Sequence, residues 1–267
     1  MSDAAHRLAD VVSLPTRAVG STARTAVRVV RSVSTDAVDD WGRDPALVAR
    51  VTAISRLRWD VAVGGTEHVP ARAGALIVVN ARRFALAPLF AALALGDATS
   101  RPVRFVGRPD VAPLGPALQR LGGLLPLPAE LEGALRAGEL VVLGADHQAT
   151  NEWSGSVDHH LVGAAVAAKV KVLPAATISS PVTRAARVEV GREARLGRVR
   201  RGPLAELELA DLVERRIDDL LAEAGGTLTG TPLDWLTLER LPLTGSLLDI
   251  GVLTRSPLRS PIPRRVR

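Results

Sequence analysis

Cysteine and tyrosine are absent from this chain, aromatic residues make up 3% of it, and only two lysines, Lys169 and Lys171, accompany a large excess of arginine. Without cysteine there is no disulfide framework, no thiol nucleophile and no cysteine-built metal site. Three phenylalanines and four tryptophans offer few platforms for base stacking, which counts against nucleic acid as the main partner. Long apolar runs are missing too. The longest, Phe84 to Leu95, has 12 residues and is interrupted by Pro88, whereas a membrane-spanning helix needs about 20. The first residues lack the charged, apolar, small-residue succession of a secretory signal. No Gly-x-Ser-x-Gly elbow, phosphate-binding Gly-Lys-Thr/Ser loop or Rossmann glycine fingerprint occurs, so three common enzyme classes have no support. The expectation is a cytoplasmic protein that touches a membrane, if at all, as a peripheral protein at its inner face.

What remains is a core-forming, strongly basic chain. Its 267 residues, 47% hydrophobic, suffice for one large domain with flanks. A formal charge of +6 and a sequence pI near 11.0 favour anionic partners, first among them an anionic membrane surface or lipid. Residues 1–57 read as a helical basic lead-in. Arg17, Arg24, Arg28 and Arg31 share one helical stripe, opposite Val19, Ala23, Ala26, Val27 and Val30. Such a helix can lie in an anionic interface or pack on the domain with its arginines solvated. The stretch Asp39-Asp40-Trp41-Gly42-Arg43-Asp44-Pro45 breaks that pattern, and a helix is predicted over 46–57.

Residues 58–226 alternate between two periodicities. Strands are predicted at 58–63, 76–79, 101–106, 140–143, 172–177 and 187–190, and helices at 83–95, 117–121, 129–137, 161–170 and 207–224. The runs Leu76-Ile77-Val78-Val79 and Leu140-Val141-Val142-Leu143 are apolar throughout, as strands covered on both faces must be. This alternation implies an α/β fold: a single layered domain with a central, mostly parallel sheet and helices on both faces. Residues 227–267 read as a C-terminal extension whose last dozen residues form a basic Pro/Arg-rich tail, expected to be disordered.

Several segments of this domain, taken in order, carry a family resemblance. They are Val63-Gly64-Gly65-Thr66-Glu67-His68-Val69-Pro70, Gly74-Ala75-Leu76-Ile77-Val78-Val79-Asn80, the stretch from Pro113 to Gly122, Leu135-Arg136-Ala137-Gly138 with the strand after it, and Val172-Leu173-Pro174-Ala175-Ala176-Thr177. Together, over about 59–191, they resemble the glycerolipid acyltransferase family, which includes lysophosphatidic acid acyltransferases and bacterial monoacylglycerol and diacylglycerol acyltransferase-like proteins. The resemblance implies that family's type of α/β domain. It also implies acyl transfer from acyl-CoA or acyl carrier protein, as co-substrate rather than tightly bound cofactor, to a lysophospholipid or glycerolipid hydroxyl.

Members use a histidine as general base on the acceptor hydroxyl, oriented by an aspartate. The family's Asn-His pair falls on Asn80-Ala81, and its aspartate near Leu86. Its Phe-Pro-Glu-Gly loop falls on Gly144-Ala145-Asp146-His147, and a basic residue of some members falls near Pro128. Ala81 and Leu86 cannot move a proton. The resemblance therefore implies a degenerate member with a lipid-binding or accessory role, working beside an active acyltransferase relative.

Two alternatives stand next to it: an active enzyme with a rewired Asp146/His147 site, or a basic scaffold holding nucleic acid or a protein through its arginine-rich ends. Asp146 and His147 are the catalytic candidates, His147 having also the reading of a solvated loop histidine. Asn80, Arg82, Arg83 and Asp146 are the substrate-binding candidates. Arg82 and Arg83 suit a phosphate at a helix start or simply a solvated turn. Asp158-His159-His160 invites a metal reading, but adjacent histidines are expected to point apart in regular structure, and no metal is expected. His6 and His68 read as incidental.

Overall fold

Unbroken Val/Ile/Leu runs make strands that must be covered on both sides, and the structure, a computed structural model, shows what covers them. It describes residues 38–58, 60–81, 86–146, 155–179, 185–197 and 202–224. The arginine stripe at 17–31, Arg82, Arg83, His147 and the C-terminal extension lie outside the described residues. Among those described, seven strands form one sheet: β1 (Asp60–Gly64), β2 (Ala75–Asn80), β3 (Val103–Val106), β4 (Gly123–Leu124), β5 (Leu140–Ala145), β6 (Lys171–Ser179) and β7 (Ala185–Val190). Their order is β1-β7-β6-β2-β5-β3-β4. From β6 to β4 all neighbours are parallel; β7 is antiparallel to β6, and β1 is parallel to β7. The helices are α1 (Pro45–Arg58), α2 (Ala87–Thr99), α3 (Leu114–Arg120), α4 (Pro128–Arg136), α5 (His159–Ala168) and α6 (Pro203–Glu223). This is the α/β class, mostly parallel and covered on both faces, that the alternation of periods implies.

Strand alternation divides the core. Leu76 and Val78 of β2 join Val141 and Leu143 of β5 in a cluster with Leu131, Leu161 and Val213, under α4, α5 and α6. The alternate residues face α2. All five residues from Ala75 to Val79 are 0% exposed, which is why β2 shows no polar alternation. Each such Leu, Ile or Val contributes about 1.5–3 kcal/mol by leaving water.

Some local expectations need correction. Helix α2 begins at Ala87 with Pro88 in its first turn, not at 83. Strands β2 and β5 run on through Asn80 and Ala145. Strand β4 was not anticipated: it is two residues long, too short for alternation to show. His68, read as incidental, anchors a turn; its Nδ1 lies 3.0 Å from the Val190 carbonyl, a bond that requires the Nδ1–H tautomer. Gly65 beside it has φ 69°, and a Cβ there would run into the same carbonyl.

The largest correction concerns 39–45, read as an interruption between helices. It is an ordered clasp. Asp39 Oδ1 accepts from the Trp41 and Arg43 amides at 3.0 and 2.9 Å. Asp44, fully buried, caps α1 by accepting from the Leu47 amide at 3.0 Å. The clasp closes on Arg104 of β3, whose side chain is 1% exposed. Arg104 Nη2 donates to Asp39 Oδ2 at 2.7 Å, and its Nε lies 3.2 Å from Glu139 Oε2. Its guanidinium carbon sits 5.8 Å from the Trp41 ring centroid, within cation–π range. Burial lowers the Arg43 pKa, and the neighbouring Arg104 charge lowers it further, against Asp39 and Glu139. A buried charge that loses its partners is expensive, and so are partners that lose their charge. Replacing Arg104 by Met should therefore cost about 3 kcal/mol, read as a lowered urea midpoint.

Candidate functional site

In parallel sheets, ligands collect at the carboxyl edge. Here that edge is built by the ends of β2, β5 and β3 and the start of α2. The β2–β5 register pairs Val79 with Gly144 and Asn80 with Ala145. The ladder ends there, and Ala81 and Asp146 are the next residues of the two strands. Two segments that are 65 positions apart in the resemblance are thus brought side by side by tertiary structure.

Ala81 is not in open space. It is 2% exposed and packs with Ala87 and Ala186, against Val61 and Phe90. Gly144 lies beside it: a Cβ there would come within 3.0 Å of the Ala81 methyl and 2.9 Å of Pro88 Cγ. Helix α2 therefore presses its first turn onto a seam of small residues. An imidazole at position 81 would need that seam to open.

Asn80 points to the opposite face, and its amide is committed. Nδ2 donates to the Thr177 carbonyl at 3.0 Å, while Oδ1 accepts from the Thr177 amide at 2.6 Å and from its hydroxyl at 3.1 Å. The reason is local to β6, which pairs with β2 through Ala175 and with β7 from Ala175 to Ser179. The Asn80 side chain continues the β2–β6 ladder where main-chain pairing stops.

Asp146 follows β5, is exposed, and lines an apolar pocket of about 220 Å³. Leu86, Pro88, Phe105, Leu118, Leu143 and Leu161 form much of its wall. Leu86, on which the resemblance places an aspartate, contributes a hydrocarbon wall rather than a carboxylate. On the other face a second pocket of about 310 Å³ is lined by Asn80, Ser156, Glu214 and Asp218. Glu214 Oε1 there accepts from the Val157 amide at 2.6 Å. A larger groove, about 630 Å³, lies between α1, β1 and α2, with the Arg56–Asp97 ion pair in its wall.

Of the other candidates, Arg82, Arg83 and His147 fall outside the described residues. Pro128 opens α4, and no base stands there. Arg108, which spacing did not single out, follows β3 at this edge; its Nη2 is 3.4 Å from Glu130, and its Nε is buried without a hydrogen bond among the described residues. His159 and His160 do not point apart as expected: their ring centroids are 4.1 Å apart. Asp158 Oδ1 caps α5 by accepting from the His160 amide at 2.9 Å. Among the described residues, no group of three or more His, Cys, Asp or Glu converges as a metal site.

The pocket walls came from α2, α3, α5, β3 and β5, so no single periodic stretch could have revealed them. Asn80→Ala removes the partner of two Thr177 main-chain groups in a residue that is 1% exposed. Equilibrium unfolding should show a loss of about 1–3 kcal/mol.

No family profile and no curated protein matches the chain. Among solved structures, the 1-acyl-sn-glycerophosphate (LPA) acyltransferase PlsC from Thermotoga maritima overlaps it with a TM-score of 0.48 and 14% identity, over 66% of this chain and 80% of that one. An overlap of that quality carries no inference about the chemistry of the site.

Proposed function

We propose that the protein is an acyltransferase-like lipid-binding protein of glycerolipid metabolism that has given up general-base catalysis. The observation that carries the reading is Ala81: at the base position of the resembled motif stands a methyl group, 2% exposed, under the first turn of α2. Leu86 at the orienting position adds to it, because the pocket it lines is mostly hydrocarbon. A cavity of that make-up suits part of an alkyl chain, with a polar headgroup at the Asp146 rim. In this reading acyl-CoA or acyl carrier protein is at most a visiting donor, and an active acyltransferase relative is the natural partner.

One observation favours a second reading. Asp146 follows the last residue of β5 paired with β2 and lines the pocket beside Gly144, where a carboxylate with His147 after it could replace the lost pair.

Acyl-transfer assays with acyl-CoA and several lysophospholipid acceptors should show no turnover by the full chain. Turnover that His147→Ala abolishes would overturn the proposal in favour of the rewired site. Binding of a fluorescent fatty acid should weaken by about tenfold in Leu86→Glu, since a carboxylate in the wall must be desolvated beside the chain. Equal affinity in the variant would remove the pocket from the proposal.

A further inference from the structure

Helix α6 is the acidic element of a basic chain. It carries seven carboxylates against two arginines, in a protein of formal charge +6. Its inner side is sealed by Ala205, Leu209, Val213 and Ile217. Along one flank of the outer side, residues spaced three and four apart form a stripe: Leu204, Leu207, Asp211, Glu214, Asp218 and Leu221. Leu204 is 65% exposed and Leu207 45% exposed. The stripe thus has apolar ends and an acidic middle. Glu214 accepts from the Val157 amide. Asp211 and Asp218, both exposed, make no ion pair or hydrogen bond among the described residues. Arg215 stands one turn from both, with Glu208 and Asp219 on its other side, so the flank stays negative. The pocket that Glu214 and Asp218 line receives no base from its other walls.

We infer that this stripe is the docking surface of the protein's own C-terminal segment, residues 258–267. After Asp249 the chain has no acid and five arginines. Within the segment, Leu258 and Val266 bracket Arg259, Arg264 and Arg265, as the leucines of the stripe bracket its three carboxylates. The lengths agree as well. Leu204 to Leu221 spans about 26 Å of helix. Leu258 to Val266 spans about 25 Å in the extended form that Pro261 and Pro263 favour.

Attachment favours this occupant over others. Residues 225–257 join the segment to the end of α6 and are long enough to reach any turn of it. Exposed ion pairs are individually weak. A tether, however, holds its ligand at an effective concentration on the order of millimolar, where several weak pairs suffice. An anionic bilayer or a nucleic acid would be repelled by the carboxylates. Two-fold pairing of the stripe with its own copy would oppose acid to acid. A docked segment would also cover the pocket at Asn80, Glu214 and Asp218, on the side of β2 away from Ala81. The inference does not rest on the reading of Ala81, and acyl transfer, found or not, leaves it standing.

The absence of native cysteine lets one nitroxide report the contact. The isotope-labelled full chain carries it at Ser260→Cys, and broadening of amide signals is read against the reduced label. Signals along the stripe should broaden, those of Ala49 and Ala53 in α1 should not, and added salt should weaken the effect. Asp211→Lys/Asp218→Lys, at two exposed sites, should abolish the broadening. So should Arg259→Glu/Arg264→Glu/Arg265→Glu, and combining the two sets should restore it. No broadening along the stripe, equal broadening on α1, or persistence in Asp211→Lys/Asp218→Lys overturns the inference. So does failure of the combined variant to restore it. Broadening that passes from a separate spin-labelled copy to an isotope-labelled one overturns it too, in favour of a second copy as the partner.

Discussion

The sheet changes direction at one point, and a single side chain makes that change possible. Beyond Ala175, β6 turns from β2 toward the antiparallel β7. The amide and carbonyl of Thr177 would then be stranded in a residue almost without solvent contact. A primary amide offers the same donor and acceptor as a peptide group, and Asn80 supplies both. An aspartate would lack the donor, and an alanine would lack both groups. The end of β2, and with it the position of Ala81, is held by this substitution of side chain for main chain.

On the other side of β2 the constraint is volume. Ala81, Ala87, Ala186 and Gly144 form a seam on which Pro88 and Phe90 rest. Small residues there let α2 approach the sheet closely, and close packing resists any larger side chain. Position 81 is thus part of the hydrophobic core. Asp146 reaches this edge from outside the seam, as an exposed residue.

The opposite edge of the sheet is organised by charge. Arg104, itself buried, pairs with the partly exposed carboxylates of Asp39 and Glu139, with Arg43 beside it. Such networks seldom beat a hydrophobic replacement in free energy, but they accept few alternative arrangements. Here the network ties the clasp at 39–44 to β3, and Asp44 then caps α1. The orientation of α1, and therefore which of its sides meets solvent, descends from these buried charges.

The α/β class, the succession of elements and the buried nature of β2 and β5 were legible in the amino-acid order, because local periodicity reports how many faces of a segment are covered. The Gly144-Ala145-Asp146 turn and the Asn80-Ala81 turn were legible as candidate positions for the same reason: each follows an unbroken apolar strand. Neither periodicity nor spacing could say that Ala81 would face a sealed seam while Asn80 faced Thr177, 97 residues away. The tilted contact of the His159 and His160 rings and the Arg104 partners were equally hidden. Those facts depend on strand order and register, which are settled by the joint packing of several apolar faces at once. The sequence by itself determined what each segment is. Only the tertiary structure decided what stands opposite it, because contacts between distant segments form through shared burial and leave no periodic trace in either one.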